Sequence, residues 1–213
     1  MKTFFLFTVI ALSAISSANI LSNGDFESPA IADGSRNEYV TGDNFGGWQV
    51  TSADYAVEHL TNGYCVAYGG DFWWQTPNGN QFLYLASFVG GSTIRQDVVL
   101  TAGNYSLNFL QCAFRGSYGT PEGRVDFDVV DALGQSVLGG TQTAVTADYA
   151  DWVRKGVSVN ISTPGLYGVV FSAVPGSASN IDDVQLNAVP EPSSLCLIGM
   201  GLAGLAVRKR ARK

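Results

Sequence analysis

Between residues 19 and 189, apolar and polar side chains alternate with a period of two in run after run. Val125, Phe127 and Val129 alternate with Asp126 and Asp128, so one face of that segment suits a core and the other suits water. The same spacing runs through Thr93 to Val99, through Tyr105, Leu107 and Phe109, through Val157, Val159 and Ile161, and through Tyr167, Val169 and Phe171. Turn residues separate these runs, at Ala102-Gly103-Asn104, at Asp131 to Gln135 and at Pro164-Gly165. Ile181 to Leu186 closes the set, and no stretch longer than a turn has helical spacing. Short strands with one apolar face each, in a chain holding 25 glycines, predict an all-β fold: an antiparallel β-sandwich, with a jelly roll as the expected version. Residues 30–47 and 61–80 read as long surface loops. Asp126 and Asp128 are expected on the wet face of their sheet and not as a catalytic pair.

The two ends follow a different grammar. Lys2, an uncharged run from Phe4 to Ile15 and the small residues Ser16-Ser17-Ala18 form a secretory signal peptide over residues 1–18, to be removed by signal peptidase before Asn19. At the other end Pro192 to Val207 holds no charge, and Arg208, Lys209, Arg210, Arg212 and Lys213 follow at once. As one apolar helix that segment measures roughly 24 Å, enough to span a bilayer with thinning or snorkelling, with its basic end in the cytoplasm. The domain plan is therefore a signal peptide (1–18), an exported β-sandwich (19–187) and a tail (188–213).

Charge narrows the partners. Lys2 and the five basic residues of the tail account for half of the 12 Lys and Arg, and Glu191 for one of the 18 acids, which leaves 17 acids against 6 bases in the exported part. Such a surface excludes nucleic acid and an anionic membrane face as partners, and suits solubility or cation binding.

Val189-Pro190-Glu191-Pro192-Ser193-Ser194, a Gly-rich apolar stretch and the basic end resemble the PEP-CTERM sorting signal of Gram-negative bacteria. The resemblance implies recognition at Pro190, Glu191 and Pro192 by an exosortase, and a transient inner-membrane anchor. The destination it implies is the outer surface or the extracellular matrix. Leu21-Ser22-Asn23-Gly24-Asp25-Phe26-Glu27-Ser28-Pro29, then Gly47-Trp48, then Asn180-Ile181-Asp182-Asp183-Val184-Gln185-Leu186 resemble the galactose-binding-like jelly rolls, which include several carbohydrate-binding module families. Together these resemblances imply a non-catalytic surface protein that binds extracellular polysaccharide. A structural or adhesion protein of the matrix, binding other proteins, is the alternative, and a glycoside hydrolase or esterase is the third.

Two constellations carry candidate chemistry. In a sandwich whose first and last strands are neighbours, Phe26 and Ile181 can enter the core while Glu27 meets Asp182 or Asp183 at the edge. Carboxylates brought together repel one another unless a cation or strong hydrogen bonds offset them. Calcium suits oxygen ligands, so a structural Ca2+ site is expected with Glu27 and Asp182 as ligands and Asp25 and Asp183 as helpers; solvated or hydrogen-bonded acids are the other possibility. The second constellation is aromatic: Tyr68, Trp73 and Trp74, with Asp71 and Gln75, have the rings and polar groups that hold sugars. Adjacent tryptophans on a strand point to opposite faces, so one of the pair belongs to the core.

Cys65 and Cys112 can form a disulfide in an oxidising compartment or stay as two buried thiols. Gln96 is expected to bond neighbouring backbone. His59, the one histidine, reads as a strand residue and not as a metal ligand. No nucleophile elbow, phosphate loop or thiol redox motif occurs, and the exported domain is read as a non-enzyme.

Overall fold

The computed structural model describes residues 18–64, 75–113, 122–147 and 151–189. Among these residues, twelve strands form two antiparallel sheets. They are β1 (Arg36–Tyr39), β2 (Asn44–Phe45), β3 (Trp48–Ser52), β4 (Ala56–Thr61), β5 (Gln81–Ser87) and β6 (Thr93–Leu100), followed by β7 (Gly103–Ala113), β8 (Glu122–Asp131), β9 (Gln142–Ala147), β10 (Val153–Ile161), β11 (Gly165–Ala173) and β12 (Ser177–Ala188). The first sheet runs β1-β4-β5-β12-β7-β10 and the second β2-β3-β6-β11-β8-β9. The alternating side chains meet between them, with Trp48, Ile94, Leu107, Phe109, Val125, Phe127, Val129, Val169 and Phe171 in one core. Phe109, Phe127 and Phe171 pack ring on ring, with centroids 4.9 to 6.3 Å apart. Phe26 and Ile181 are both fully buried in this core.

Tyrosine hydroxyls close two turns at one end of the sandwich. Tyr105 donates to the Thr101 carbonyl (2.9 Å) and Tyr167 to the Thr163 carbonyl (2.6 Å). The chain leaves the domain at that end, where the Val189 N–H donates to the Asn104 carbonyl.

The N-terminal segment lies along β12 without being a strand. Ile20 N–H donates to the Leu186 carbonyl, and Val184 N–H to the Gly24 carbonyl at 2.7 Å. Gly24 is obligatory there, because a Cβ would sit 2.0 Å from the Val184 carbonyl oxygen. The register of β12 against β7 shifts between Asp182 and Gln185, a bulge that carries Asp183 at φ 46°.

Two sequence expectations change. The 30–47 stretch holds two short edge strands, β1 and β2, since an edge strand needs few apolar residues. Asp128 is buried and not wet: the β8–β9 connection folds over it, so that Ser136 donates to its Oδ1 at 2.9 Å and Thr141 to its Oδ2 at 3.5 Å.

Candidate functional site

The middle of the first sheet is buried on both faces. In β5, Leu83 and Leu85 enter the core between the sheets, while Phe82, Tyr84 and Ala86 join a second cluster on the outer face with Ala56, Leu60, Cys112 and Ala178. Tyr64 and Trp152 pack against this cluster, with the Trp152 and Phe82 rings edge to face at 5.4 Å. Arg36 forms one border: its Nη1 lies 3.1 Å from Glu58, and its guanidinium is 5.5 Å from the centre of the Tyr64 ring. Burial pushes the Glu58 carboxyl upward, and Arg36 opposes that shift.

Asn180 lies on this outer face, paired in register with Tyr84 on β5 and Cys112 on β7. It is fully buried, and neither its Oδ1 nor its Nδ2 has a hydrogen-bond partner; the Trp152 Nε1 is likewise buried and unsatisfied. Each such group costs about 1–3 kcal/mol when left dry.

Two residues along β12 lies a carboxylate corner. Asp182 accepts from the Thr76 hydroxyl and, at 2.6 Å, from the Asp183 N–H. Burial pushes its carboxyl up to about 8, against the hydrogen bonds from Thr76 and Asp183, and the charges of Asp183 and Glu27 add to the rise. Glu27 Oε1 accepts from the Asn80 N–H (2.6 Å) and the Gln81 N–H (2.8 Å). Gly79, at φ 82°, permits that approach: a Cβ there would lie 2.1 Å from Glu27 Oε1. Among the described residues, the non-glycine positions at positive φ are Asn23, Phe26 and Asp183. All three belong to the segments that build this corner, where strain of about 1–3 kcal/mol each must be offset by neighbours. For Phe26 the neighbours are evident. Its carbonyl accepts from His59 Nε2 and from Gln81 Nε2 at 2.9 Å. That contact puts the proton of His59 on Nε2 and leaves Nδ1 to accept from the Tyr39 hydroxyl at 3.3 Å. Burial lowers the His59 pKa, opposed by the Phe26 carbonyl and Glu27, so the ring acts as a neutral structural donor.

The other residues named from sequence divide as follows. Asp183 faces Arg154, which forms an ion pair with it. Asp25 is exposed and borders a polar cleft of about 290 Å3 with Asn19, Asn78 and Gln185. Gln96 bonds backbone as expected, to Ser22. Gln75 is half-buried. Tyr68, Asp71, Trp73, Trp74 and Cys65 lie outside the described residues, as do the signal peptide, Pro190, Glu191, Pro192 and the apolar tail. Cys112 is buried. Among the described residues no helix is long and apolar enough to cross a membrane.

Thr76, Asn180 and Trp152 were not legible as site residues. Asn180 had one signal, a polar residue two positions before Asp182 and therefore on the same side of the last strand.

Residues 188–211 match the PEP-CTERM protein-sorting motif, so the chain is an exported protein addressed to the cell surface. None of the curated proteins matches the sequence. Among solved structures, TmCBM61 in complex with β-1,4-galactotriose is 18% identical, with 81% of this chain and 100% of that chain covered at a TM-score of 0.51. The CBM22-1 xylan-binding domain of Paenibacillus barcinonensis Xyn10C is 15% identical over 84% of this chain and 100% of that one, at 0.46. An arabinose-bound MgGH51 α-L-arabinofuranosidase is 10% identical over 81% of this chain and 26% of that one, at 0.47. The fold is a β-sandwich jelly roll, as in TmCBM61.

Proposed function

We propose that the exported domain binds extracellular polysaccharide without turning it over, and that the glycan meets the outer face of the first sheet. The observation that carries this reading is the pair of unsatisfied groups, the Asn180 amide and the Trp152 Nε1, set beside Phe82 and Tyr84; Asn180 and Phe82 are fully buried, so a glycan would reach them only once this face is uncovered. An amide offers a donor and an acceptor to neighbouring hydroxyls, and aromatic rings take the apolar C–H faces of a sugar. The jelly-roll relative bound to β-1,4-galactotriose supports the class of ligand. Tyr64, which packs on this face, and Thr76, which bonds Asp182, flank the segment 65–74 in the sequence. Tyr68, Trp73 and Trp74 in that segment would then supply further rings, with Asp71 and Gln75 as polar partners. After export, the tail would hold the chain in the inner membrane of a Gram-negative cell until an exosortase acts at Pro190-Glu191-Pro192.

A calcium ion fits the carboxylate corner by its donor set, which is oxygen only: Glu27, Asp182 and the Thr76 hydroxyl. Among the described residues no three His, Cys, Asp or Glu side chains converge, so backbone carbonyls would complete the shell. Bound there, the ion would hold the N-terminal segment to β12 and keep both carboxylates ionised.

The test of glycan binding is affinity electrophoresis of the full chain, purified in non-ionic detergent, in gels cast with β-1,4-galactan, xylan or the extracellular polysaccharide of the producing cells. Retardation in at least one gel, reduced about tenfold by Asn180→Ala, is expected. Unretarded migration of the unaltered chain in every gel overturns the proposal.

A further inference from the structure

The end of the sandwich where the chain leaves the domain differs in chemistry from the rest of the surface. The β6–β7 turn, the β8–β9 connection and the β10–β11 turn meet there: Leu100 pairs with Gly165, Val159 with Tyr105 and Asp131 with Tyr167. Residues 98–104, 132–141, 156–168 and 184–190 hold no Asp, Glu, Lys, Arg or His, although the exported part carries 17 acids. Apolar side chains stand open to solvent in their place: Val99 is 77% exposed, Leu133 82%, Leu166 46% and Val189 48%. Val99 and Leu166 are cross-strand partners on β6 and β11, on the face of the second sheet opposite the buried Val98, Leu100 and Tyr167.

These positions are fixed by the fold. Asp131 Oδ1 accepts from the N–H groups of Leu133 (2.8 Å) and Gln135 (2.9 Å), and the Gly134 N–H donates to the Asp131 carbonyl (3.0 Å), so a closed turn presents Leu133. The same bonds occupy one oxygen of the acid nearest to Leu133. Asp97, two positions before Val99 on the same face, is paired with Arg95 at 2.6 Å. The exit is held as well, since the Val189 N–H donates to the Asn104 carbonyl at 2.8 Å. Three peptide steps then lead from Val189 to Pro192, where the charge-free run begins, a reach of at most about 11 Å.

We infer that this end of the domain rests on the bilayer that holds the tail, with Val99, Leu133, Leu166 and Val189 in its headgroup zone. The inference rests on the reading that residues 192–207 sit in the inner membrane before processing. With that run in the membrane, Val189 stands within about 11 Å of its surface. The charge-free end is then the part of an acidic domain that meets the headgroups without stripping water from a charge. A second copy is disfavoured as the occupant, because four side chains fall far short of the about 20–30 residues a side of a stable protein interface. Alone they would hold a membrane weakly, but a short tether raises their effective concentration to the order of millimolar. The contact therefore lasts only while the tail is attached. It keeps Pro190-Glu191-Pro192 within reach of a membrane-embedded enzyme, and cutting the chain there releases the domain.

The full chain, 13C-methyl-labelled at Leu and Val, would be placed in nanodiscs of phosphatidylcholine and phosphatidylethanolamine. A lipid with a nitroxide headgroup and a soluble gadolinium chelate serve in turn as the relaxation probe. The reference is Val89, 79% exposed and two residues beyond Ser87, which pairs with the start of β12 at the other end of the sandwich. The Val99, Leu133 and Leu166 methyls should broaden several-fold more than Val89 with the nitroxide lipid, and several-fold less with the chelate. Leu133→Ser combined with Val99→Ser, both at exposed positions, should cut the nitroxide broadening at Leu166 several-fold while the chain stays on the disc. Methyls at this end that are as open to the chelate as Val89, in a chain that co-migrates with the discs, overturn the docking and leave the tail anchored. A chain that does not co-migrate with the discs overturns the anchor and the docking together. Shielding that disappears once each disc carries a single chain assigns the patch to contact between copies and overturns the inference.

Discussion

The side-chain amide of Gln96 forms a two-way bridge with the backbone of Ser22. Its Oε1 accepts from the Ser22 N–H at 2.7 Å and its Nε2 donates to the Ser22 carbonyl at 2.9 Å. A side chain of β6 thus does the work of a neighbouring strand for a segment 74 residues away. Gly47 leaves the room, since a Cβ there would meet the Ser22 hydroxyl at 2.2 Å. Gln96→Leu should destabilise the domain by about 1–2 kcal/mol, the worth of two hydrogen bonds whose backbone ends can rehydrate at exposed Ser22. Urea denaturation that shifts the midpoint with an unchanged m-value is the expected result. Gln96→Glu keeps the acceptor and loses the donor, and should recover only part of the loss.

Asp182 makes stability fall as pH rises. Its carboxyl titrates at about 8 in the folded chain, against 3.8 as the ordinary value. Below about pH 3.8 both states hold the proton and the group's stabilisation is complete. Between 3.8 and 8 the unfolded chain releases the proton while the folded chain keeps it, so stability declines with slope at most ~1.4 kcal/mol per pH unit. Without added calcium, Asp182→Asn should flatten that slope. Millimolar calcium should raise the melting temperature of the unaltered chain at pH 8 and leave the Asp182→Asn chain unmoved, if the ion joins Glu27 and Asp182. A melting temperature indifferent to calcium and to exhaustive chelation removes the metal.

What the sequence disclosed and what it hid have physical reasons. Strands β6, β7, β8, β10 and β11 were legible because one face of each meets the core and the other meets polar surroundings or solvent along much of its length. β5 was not, because Gln81 to Ser87 is buried on both faces, and a strand of that kind reads as an unbroken run. That Glu27 and Asp182 lie near enough for the charge of one to act on the other was legible, since both sit in short terminal motifs of one resemblance. Thr76 was not: it reaches Asp182 across 106 residues, a contact that no local pattern records. Asp128 misled for a different reason: its alternation with apolar neighbours reads as a wet face, while Ser136 and Thr141 of the following connection fold back to cover it.

Asn180 should show a conflict between stability and binding. Its amide is buried, unsatisfied and surrounded by apolar neighbours. Asn180→Leu, with the same number of side-chain heavy atoms but more bulk, removes two unmet polar atoms and should raise unfolding stability by about 1–3 kcal/mol less the cost of that bulk. The same change should abolish retardation in polysaccharide gels. A variant that is less stable and still binds would show that the amide is met by ordered water as a structural element.

Asp54 gives the β5–β6 connection its own pH signature. Hydrogen bonds from Val89 and Gly90, joined by Ser87 and Phe88, hold the Asp54 carboxyl down at about 2. A depressed acid stabilises the folded arrangement above its unfolded value of 3.8 and loses that contribution as pH falls toward 2. The amides of Phe88, Val89 and Gly90 should therefore exchange slowly with solvent at pH 4 and above, despite their position in an exposed connection. Asp54→Ala removes the common acceptor and should speed exchange at those three amides, while the β12 amides of the core keep their protection. Unchanged exchange at residues 88–90 in that variant would show that Asp54 does not order this connection.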